Sequence, residues 1–374
     1  MTEPIRILHV VGSMNRGGTE TMIMNLYRQI DRSKVQFDFM VHTSDKCAYD
    51  DEILKLGGKI YRVPMFKGTN YFSYQNAWIQ FFNTNQEYKI IHGHLGSSAA
   101  IYLKLAKRNG CFTIAHSHNT KSIGKNLKSL LYPYFSYPTR YIADFFFGCS
   151  KNAGSDRYGK KVVSSDKFKV LNNAIPANKY RYSNEIREQL RKKLNVEEKT
   201  VLGHVGRFSH QKNHQMLINI FQALHKENHD TVLLLVGDGE LRKSIENQVV
   251  DLGLSDSVIF TGVRSDIPEL MQAMDVFVFP SLYEGLGLVA IEAQAAGLRC
   301  VVSDSIPKEA FVTDLIKSLP LEEPVDIWAK SILQYSKGYV RKNTYEVIKN
   351  NGYDILDTAK WLESFYLKKV DEQL

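Results

Sequence analysis

Two short stretches hold side chains whose types and spacing suit anion chemistry. In GRFSHQKN (206–213), Arg207 and Lys212 sit between an apolar strand-like run (Val201, Leu202, Val205) and a helical pattern (Met216, Leu217, Ile220, Phe221). No acidic residue stands at a neighbouring position, so the expected counter-charge is an external anion or solvent. In EGLGLVAIEAQAAG (284–297), Gly285 and Gly287 open a helix, with Leu286 and Leu288 in the same turn. The free N–H groups and partial positive charge of a first helical turn seat a phosphate. Glu284 precedes that turn and Glu292 follows on the helix, so two carboxylates stand where hydroxyls on either side of a phosphate-bearing ligand could be held. Taken singly they read as a helix-start acid and an exposed helical acid. Taken with Arg207 and Lys212 they converge on one diphosphate, each charge-assisted contact being worth about 1.5–3 kcal/mol.

The first half offers subtler material. GSMNRGGTE places Gly17 and Gly18 after the opening strand, where backbone N–H groups approach a ligand closely. The spacing is not that of a G-x-G-x-x-G dinucleotide loop, and a plain helix-starting turn is the alternative. AHSHNT puts His116 and His118 on the same side of a strand end. A metal pair is conceivable there, but with no further ligand cluster in view these residues, like His92 and His94 of HGH, are expected to be solvated or structural. No Asp-x-Asp occurs, so no metal is expected at a diphosphate.

The elements that must position these residues are strand-like runs alternating with helical periods: 5–11, 35–41, 89–94, 112–117 and 142–150, then 200–206, 231–237, 257–262, 275–280 and 298–303. Repeated β-then-α units predict an α/β protein of two Rossmann-like, doubly wound parallel-sheet domains. A polar stretch, 171–186, reads as the linker. The expected division is 1–175, 176–355 and a C-terminal helix, 356–374, packing back onto the first domain.

Length and composition allow two ordinary globular domains: 374 residues, 44% hydrophobic, 24% charged. No apolar run reaches the ~18 residues of a membrane span, and the N-terminal stretch leads into a strand rather than an apolar leader, so a cytoplasmic location is expected. The four cysteines lack C-x-x-C spacing, which argues against disulfide frameworks and zinc ribbons. The net charge of +8 is concentrated between Lys104 and Lys169, where thirteen basic residues face three acidic ones. That favours an anionic partner. Nucleic acid is not expected, because no recognised nucleic-acid motif is present and the two glutamates would be idle.

With these residues in hand, the chain resembles the retaining nucleotide-sugar glycosyltransferases of family 4, of GT-B fold, over nearly its whole length. The resemblance rests on NRGGTE (15–20), AHSHNT (115–120), GRFSHQKN (206–213), VGDGELR (236–242) and EGLGLVAIEA (284–293), in order. It implies two domains facing a cleft, with acceptor in the first and nucleotide-sugar in the second. Arg207 and Lys212 would hold the donor diphosphate, Glu292 the ribose, and Glu284 with the backbone of Gly285, Leu286, Gly287 and Leu288 the sugar and phosphates. Gly17 and Gly18 would approach the phosphates, His118 the reacting carbon and acceptor, and the backbone near Val263 and Arg264 the base. Transfer with retention and without metal or other cofactor is implied, from a UDP-sugar by family preference, to a glycan or lipid-linked saccharide of exopolysaccharide or capsule assembly. The basic, aromatic stretch 125–141 would then rest on an anionic membrane surface, giving a peripheral position at the inner face of the plasma membrane. A sugar-nucleotide epimerase on the same scaffold and a non-catalytic sugar-nucleotide binder are the rival readings.

Overall fold

The structure, a computed structural model, describes residues 3–118, 136–337 and 339–373. The chain divides into two compact units, one of residues 1–174 with 355–374 and the other of 175–354.

The first unit is built on β1 (Ile5–Val11), β2 (Val35–Val41), β3 (Ile60–Arg62), β4 (Ile90–Gly93), β5 (Phe112–Ser117), β6 (Phe145–Gly148) and β7 (Phe168–Val170). All pair in parallel, in the order β3-β2-β1-β4-β5-β6-β7. Strands covered on both faces are mostly apolar, and VQFDFMV of β2 is buried at every position, its two polar side chains being satisfied there: Gln36 accepts from the Tyr27 hydroxyl at 2.6 Å, and Asp38 pairs with Arg6 at 2.6 Å. Between them run helices that include Gly18–Gln29, Tyr71–Thr84 and Ala99–Arg108. The last helix, Ile355–Asp371, buries Ile355, Ala359, Leu362 and Tyr366 in the same core as Ile7, Tyr27, Phe37 and Phe39. Its 4-3-4 spacing makes one helical stripe, and that stripe is what fastens the C-terminal segment to the first sheet.

The second unit repeats the plan with β8 (Thr200–Val205), β9 (Thr231–Val236), β10 (Val258–Phe260), β11 (Val276–Phe279), β12 (Arg299–Ser303) and β13 (Ile316–Leu319). Their order is β10-β9-β8-β11-β12-β13, again all parallel. In each unit the winding reverses beside the first strand, between β1 and β4 and between β8 and β11. Ligands of open α/β sheets bind at this reversal, outside the carboxyl ends of the strands.

Three edge or near-edge strands, β3, β7 and β13, have no counterpart among the runs picked from the sequence; each is only three or four residues long. The segment 142–150 is shorter as a strand than its apolar character suggests, because Thr139–Ile142 is helical. The polar stretch 171–186 is partly ordered, with a 3-10 turn at Ala177–Tyr180 and a helix that starts at Asn184.

Candidate donor-binding site

Four strand mouths of the second unit come together. Phe208 drives the loop after β8: its ring is 1% exposed and stacks on His214 with centroids 4.0 Å apart. Its backbone bonds Asp238 and Leu241 in the neighbouring mouth of β9. With Phe208 anchored inward, Arg207 is thrown outward, its side chain 75% exposed. The other end of the loop is tied to the mouth of β11. Leu282 donates its N–H to the Gln211 carbonyl (2.8 Å), Gln211 Nε2 donates to the Tyr283 carbonyl (2.9 Å), and Asn213 Nδ2 to that of Pro280 (3.1 Å). Asn213 adopts φ 55°, a left-handed conformation asparagine tolerates better than most residues.

These ties bring Lys212 Nζ to 2.6 Å from Glu284 Oε1, with the two side chains 16% and 8% exposed. Lys212 Nζ also lies 4.7 Å from the centre of the Phe279 ring. Arg207 stands 3.3 Å from Glu240, itself 55% exposed. The expectation that both cations lack an acidic partner is therefore corrected. The acids come from adjacent strand mouths, far away in sequence, which a search of neighbouring positions misses. The two pairs differ in strength. An exposed pair such as Arg207–Glu240 is worth about 0–1 kcal/mol, whereas breaking a buried pair by deleting one partner costs roughly 3–5 kcal/mol. Arg207 is thus easily recruited by an arriving anion, while Lys212 is held at its post.

Glu284 leads directly into the helix Leu288–Ala295. Its cap, Gly287, has φ 79°, which a side chain would strain, and no side chain caps the first turn. The Ala290 N–H bonds the Gly287 carbonyl at 2.9 Å, which leaves those of Leu288 and Val289 at the open end of the helix for something else to satisfy. Gly285 has open space where a Cβ would stand. Glu292 lies further along this helix, half-buried, and burial pushes its carboxyl up from the usual range, the Tyr180 hydroxyl drawing it partly back. Tyr180, 4% exposed, is itself pushed up by burial and by Glu292. Neither Tyr180 nor Glu240 was marked by the sequence. Glu240 sits in VGDGELR beside a strand end and could have been suspected, but Tyr180 lies in the polar connection with no local signal. At the mouth of β10, Val263 is 71% exposed, and Arg264 is engaged with Asp266 at 2.5 and 2.8 Å, so its guanidinium is already committed locally. Gly237 donates to the Gly262 carbonyl at 2.9 Å and joins the mouths of β9 and β10.

The first unit's strand mouths carry different chemistry. Gly17 caps the helix Gly18–Gln29 in extended conformation, and Gly18 has open space about its Cα. His118 ends β5, and it is not alone. Parallel pairing sets His9 of β1 beside His92 of β4, and the two-residue period carries His94 and His116 onto the same face. His9 Nδ1 lies 3.0 Å from His94 Nε2, His94 Nδ1 2.7 Å from His118 Nε2, and His92 Nε2 3.2 Å from His116 Nδ1. His92 Nδ1 is 2.6 Å from the Tyr366 hydroxyl. The expectation that His116 and His118 lack further ligand neighbours is overturned, because three strands pool residues more than a hundred positions apart. Burial pushes His9 and His118 down to about 3 and holds His92, His94 and His116 well below the ordinary histidine value. All five rings are neutral at pH 7.

Two doubly wound parallel sheets on one chain, the second with cations and a glycine-capped helix at its winding reversal, define the GT-B class of glycosyltransferase folds. The sequence profile described as "Glycosyl transferases group 1" matches residues 185–354. The chain is 35% identical over 368 residues to EpsF of Bacillus subtilis, named as a glycosyltransferase, covering 96% of each. It is 25% identical over 386 residues to the capsular polysaccharide biosynthesis glycosyltransferase CapH of Staphylococcus aureus, covering 98% of this chain and 99% of CapH. Among solved structures, that of HepE from Anabaena in complex with UDP superposes with a TM-score of 0.75 at 18% identity, over 97% of this chain and 100% of HepE. The chain belongs to the group 1 glycosyltransferases.

Proposed function

We propose that this glycosyltransferase moves a hexosyl or N-acetylhexosaminyl group from a UDP-sugar to a hydroxyl of a glycan or lipid-linked saccharide, with retention of anomeric configuration, in exopolysaccharide or capsule assembly. The observation that carries the reading is Lys212, paired with Glu284 at 2.6 Å and set where β8 and β11 part, beside the Gly287-capped helix. A diphosphate seated there meets Lys212, Arg207 and the free N–H groups of the Leu288–Ala295 helix. As the sugar–phosphate bond breaks, these fixed charges receive the growing negative charge, a preorganised stabilisation that requires no metal at the phosphates. Glu284 accepts from sugar hydroxyls and Glu292 from the ribose, while backbone groups near Val263 and Arg264 frame the base. The departing phosphate oxygen takes the acceptor proton on the same face of the sugar, and His118, with Gly17 and Gly18, serves the first unit's side of the reaction. The names of EpsF, CapH and an Escherichia coli galactosyltransferase acting on a diphosphoundecaprenol-linked sugar, 25% identical over 302 residues, support the polymer-assembly role.

A thermal-shift panel of UDP-, GDP-, dTDP- and ADP-sugars tests the donor, since a ligand at 100 times its Kd adds about 2.7 kcal/mol. Product analysis with a lipid-linked acceptor tests the rest. An anomerically inverted product contradicts retention, and epimerised donor formed without acceptor favours the epimerase reading.

A cytoplasmic, peripheral location belongs to the same proposal. Among the described residues no helix is long and apolar enough to cross a membrane. Most of the membrane-facing stretch expected at 125–141 lies outside the described residues. Its described end leaves Tyr137 and Tyr141 50% and 73% exposed, with Arg140 3.8 Å over the Tyr137 ring. A cavity of about 390 Å³ nearby is lined by Tyr71, Lys104, Arg108, Pro138 and Ile142 among others. Aromatic rings with basic side chains suit an anionic lipid interface. Co-sedimentation with vesicles should rise with anionic lipid content; indifference to it contradicts the membrane contact.

A further inference from the structure

The five neutral histidines of the first unit are more than the transfer reaction uses. Among the described residues, His94, His116 and His118 each offer a nitrogen such that all three lie within 4.8 Å of one another. We propose that these three imidazoles form a binding site for one divalent transition-metal ion of the zinc class. The proposal concerns the first unit alone; it does not depend on the donor reading above but shares His118 with it, so an ion bound there would compete with the role of His118 in transfer.

The argument starts from the nitrogens facing away from such an ion. Metal-bound histidines have their second ring nitrogen held by an outer partner, which fixes tautomer and orientation. Here His94 Nε2 is held by His9 Nδ1 at 3.0 Å, and His116 Nδ1 by His92 Nε2 at 3.2 Å. His92 is anchored in turn by the Tyr366 hydroxyl at 2.6 Å. That leaves His94 Nδ1 and His116 Nε2 for a ligand. His116 Nε2 is buried with no hydrogen-bond partner, an unfavourable state for a polar group that a metal bond would relieve. His118 Nε2 lies 2.7 Å from His94 Nδ1, so one proton now separates two ring nitrogens. Metal entry requires a change of tautomer: His94 carries its proton on Nε2 towards His9, His116 on Nδ1 towards His92, and His118 on Nδ1, a buried nitrogen with no hydrogen-bond partner. No net proton is gained or lost. Zinc–nitrogen bonds of about 2.0–2.1 Å in tetrahedral geometry require the three nitrogens, now within 4.8 Å of one another, to close around the ion.

Access and the fourth ligand come from a cavity of about 300 Å³ lined by all three histidines together with Ser97, Ser117 and Arg157. Among the described residues that line it, Arg157 is the charged side chain, and none is a carboxylate. An ion held by three neutral rings beside a guanidinium favours an anion, such as chloride or hydroxide, as its fourth ligand. A second triad, His9, His92 and His94, shares His94. His9 and His92 are each 1% exposed, packed against Phe37 and Tyr366, and are not among the residues lining that cavity. The outer triad is therefore the reachable one, and sharing His94 limits the two triads to one ion.

The test is a Co²⁺ titration of the tag-free full chain, read by visible ligand-field absorption and by displacement with Zn²⁺. Absorption should saturate at one ion per chain. His116→Ala should weaken Co²⁺ binding on the order of 100-fold, and His92→Phe, which removes only the outer support, by about 10–100-fold. His225→Ala, elsewhere in the chain, should leave binding unchanged. Circular dichroism and melting of the metal-free variants establish folding, and if His116→Ala fails to fold then His118→Asn must show the same loss. Absence of ligand-field absorption under excess Co²⁺, or equal affinity in the folded triad variant and the wild type, overturns the site.

Discussion

The two sheets share strand order and handedness, yet their mouths are chemically opposite. At the reversal of the second sheet stand a buried Lys212–Glu284 pair, an exposed Arg207–Glu240 pair and a glycine-capped helix. At that of the first stand neutral imidazoles, His9, His92, His94, His116 and His118, linked ring to ring. The frame fixes where a ligand sits, and the side chains of the mouths decide what it is. Fixed positive charge suits a leaving diphosphate. Uncharged nitrogens suit hydroxyl orientation, proton sharing or a soft metal ion.

Substitutions in each mouth should separate these roles. The largest effect is expected for Lys212→Ala, which removes a charge at the diphosphate and strands Glu284. Turnover should fall by about 10³, and stability by roughly 3 kcal/mol, read by kinetics and denaturant unfolding. Arg207→Ala should lower turnover by about 10²–10³ with unfolding nearly unchanged, since its ion pair is exposed. Equal stability losses in the two variants would erase the distinction between the held and the recruitable cation. His118→Ala should lower turnover by about 10² while UDP affinity stays constant, because its proposed role is at the reacting sugar and acceptor, not at the diphosphate. A large change in UDP affinity would break the division of labour.

Smaller effects concern the second mouth's supports. Gly287→Ala must adopt φ 79° with a side chain, at about 1–2 kcal/mol, which lowers Tm by several degrees. His214 is 1% exposed, makes no side-chain hydrogen bond, and is pushed by burial down to about 4. Its folded pKa lies below the ordinary value near 6.5. The unfolded chain therefore binds the extra proton first, and stability present above pH 6.5 is lost as pH falls towards 4. His214→Phe should flatten that part of the stability profile by roughly 1–3 kcal/mol; an unaltered slope would place the acid sensitivity elsewhere.

Much of this was legible in the residues. Long central strands such as VQFDFMV and TVLLLV announce themselves because burial on both faces favours largely apolar runs. The edge strands β3, β7 and β13 do not, being too short to show a pattern. The glycines and cations of the second mouth were visible as motifs, since each lies within one loop. Their acidic partners, the role of Tyr180 beside Glu292, and the five-histidine assembly were not, because each arises when segments distant in sequence are brought together, by parallel strand pairing for the histidines and by a 3-10 turn meeting a helix for Tyr180 and Glu292. His94 illustrates the point. Alone it looks structural, but strand pairing gives it His9 on one side and His118 on the other.

The claim that the second mouth grips a nucleoside diphosphate is tested most directly by calorimetric titration of UDP into the wild-type chain and into Arg207→Ala, whose fold the exposed pair does not support. Loss of one charge-assisted contact of about 1.5–3 kcal/mol predicts a Kd weakened roughly 10- to 100-fold at unchanged Tm. Equal dissociation constants for the two proteins would contradict the account.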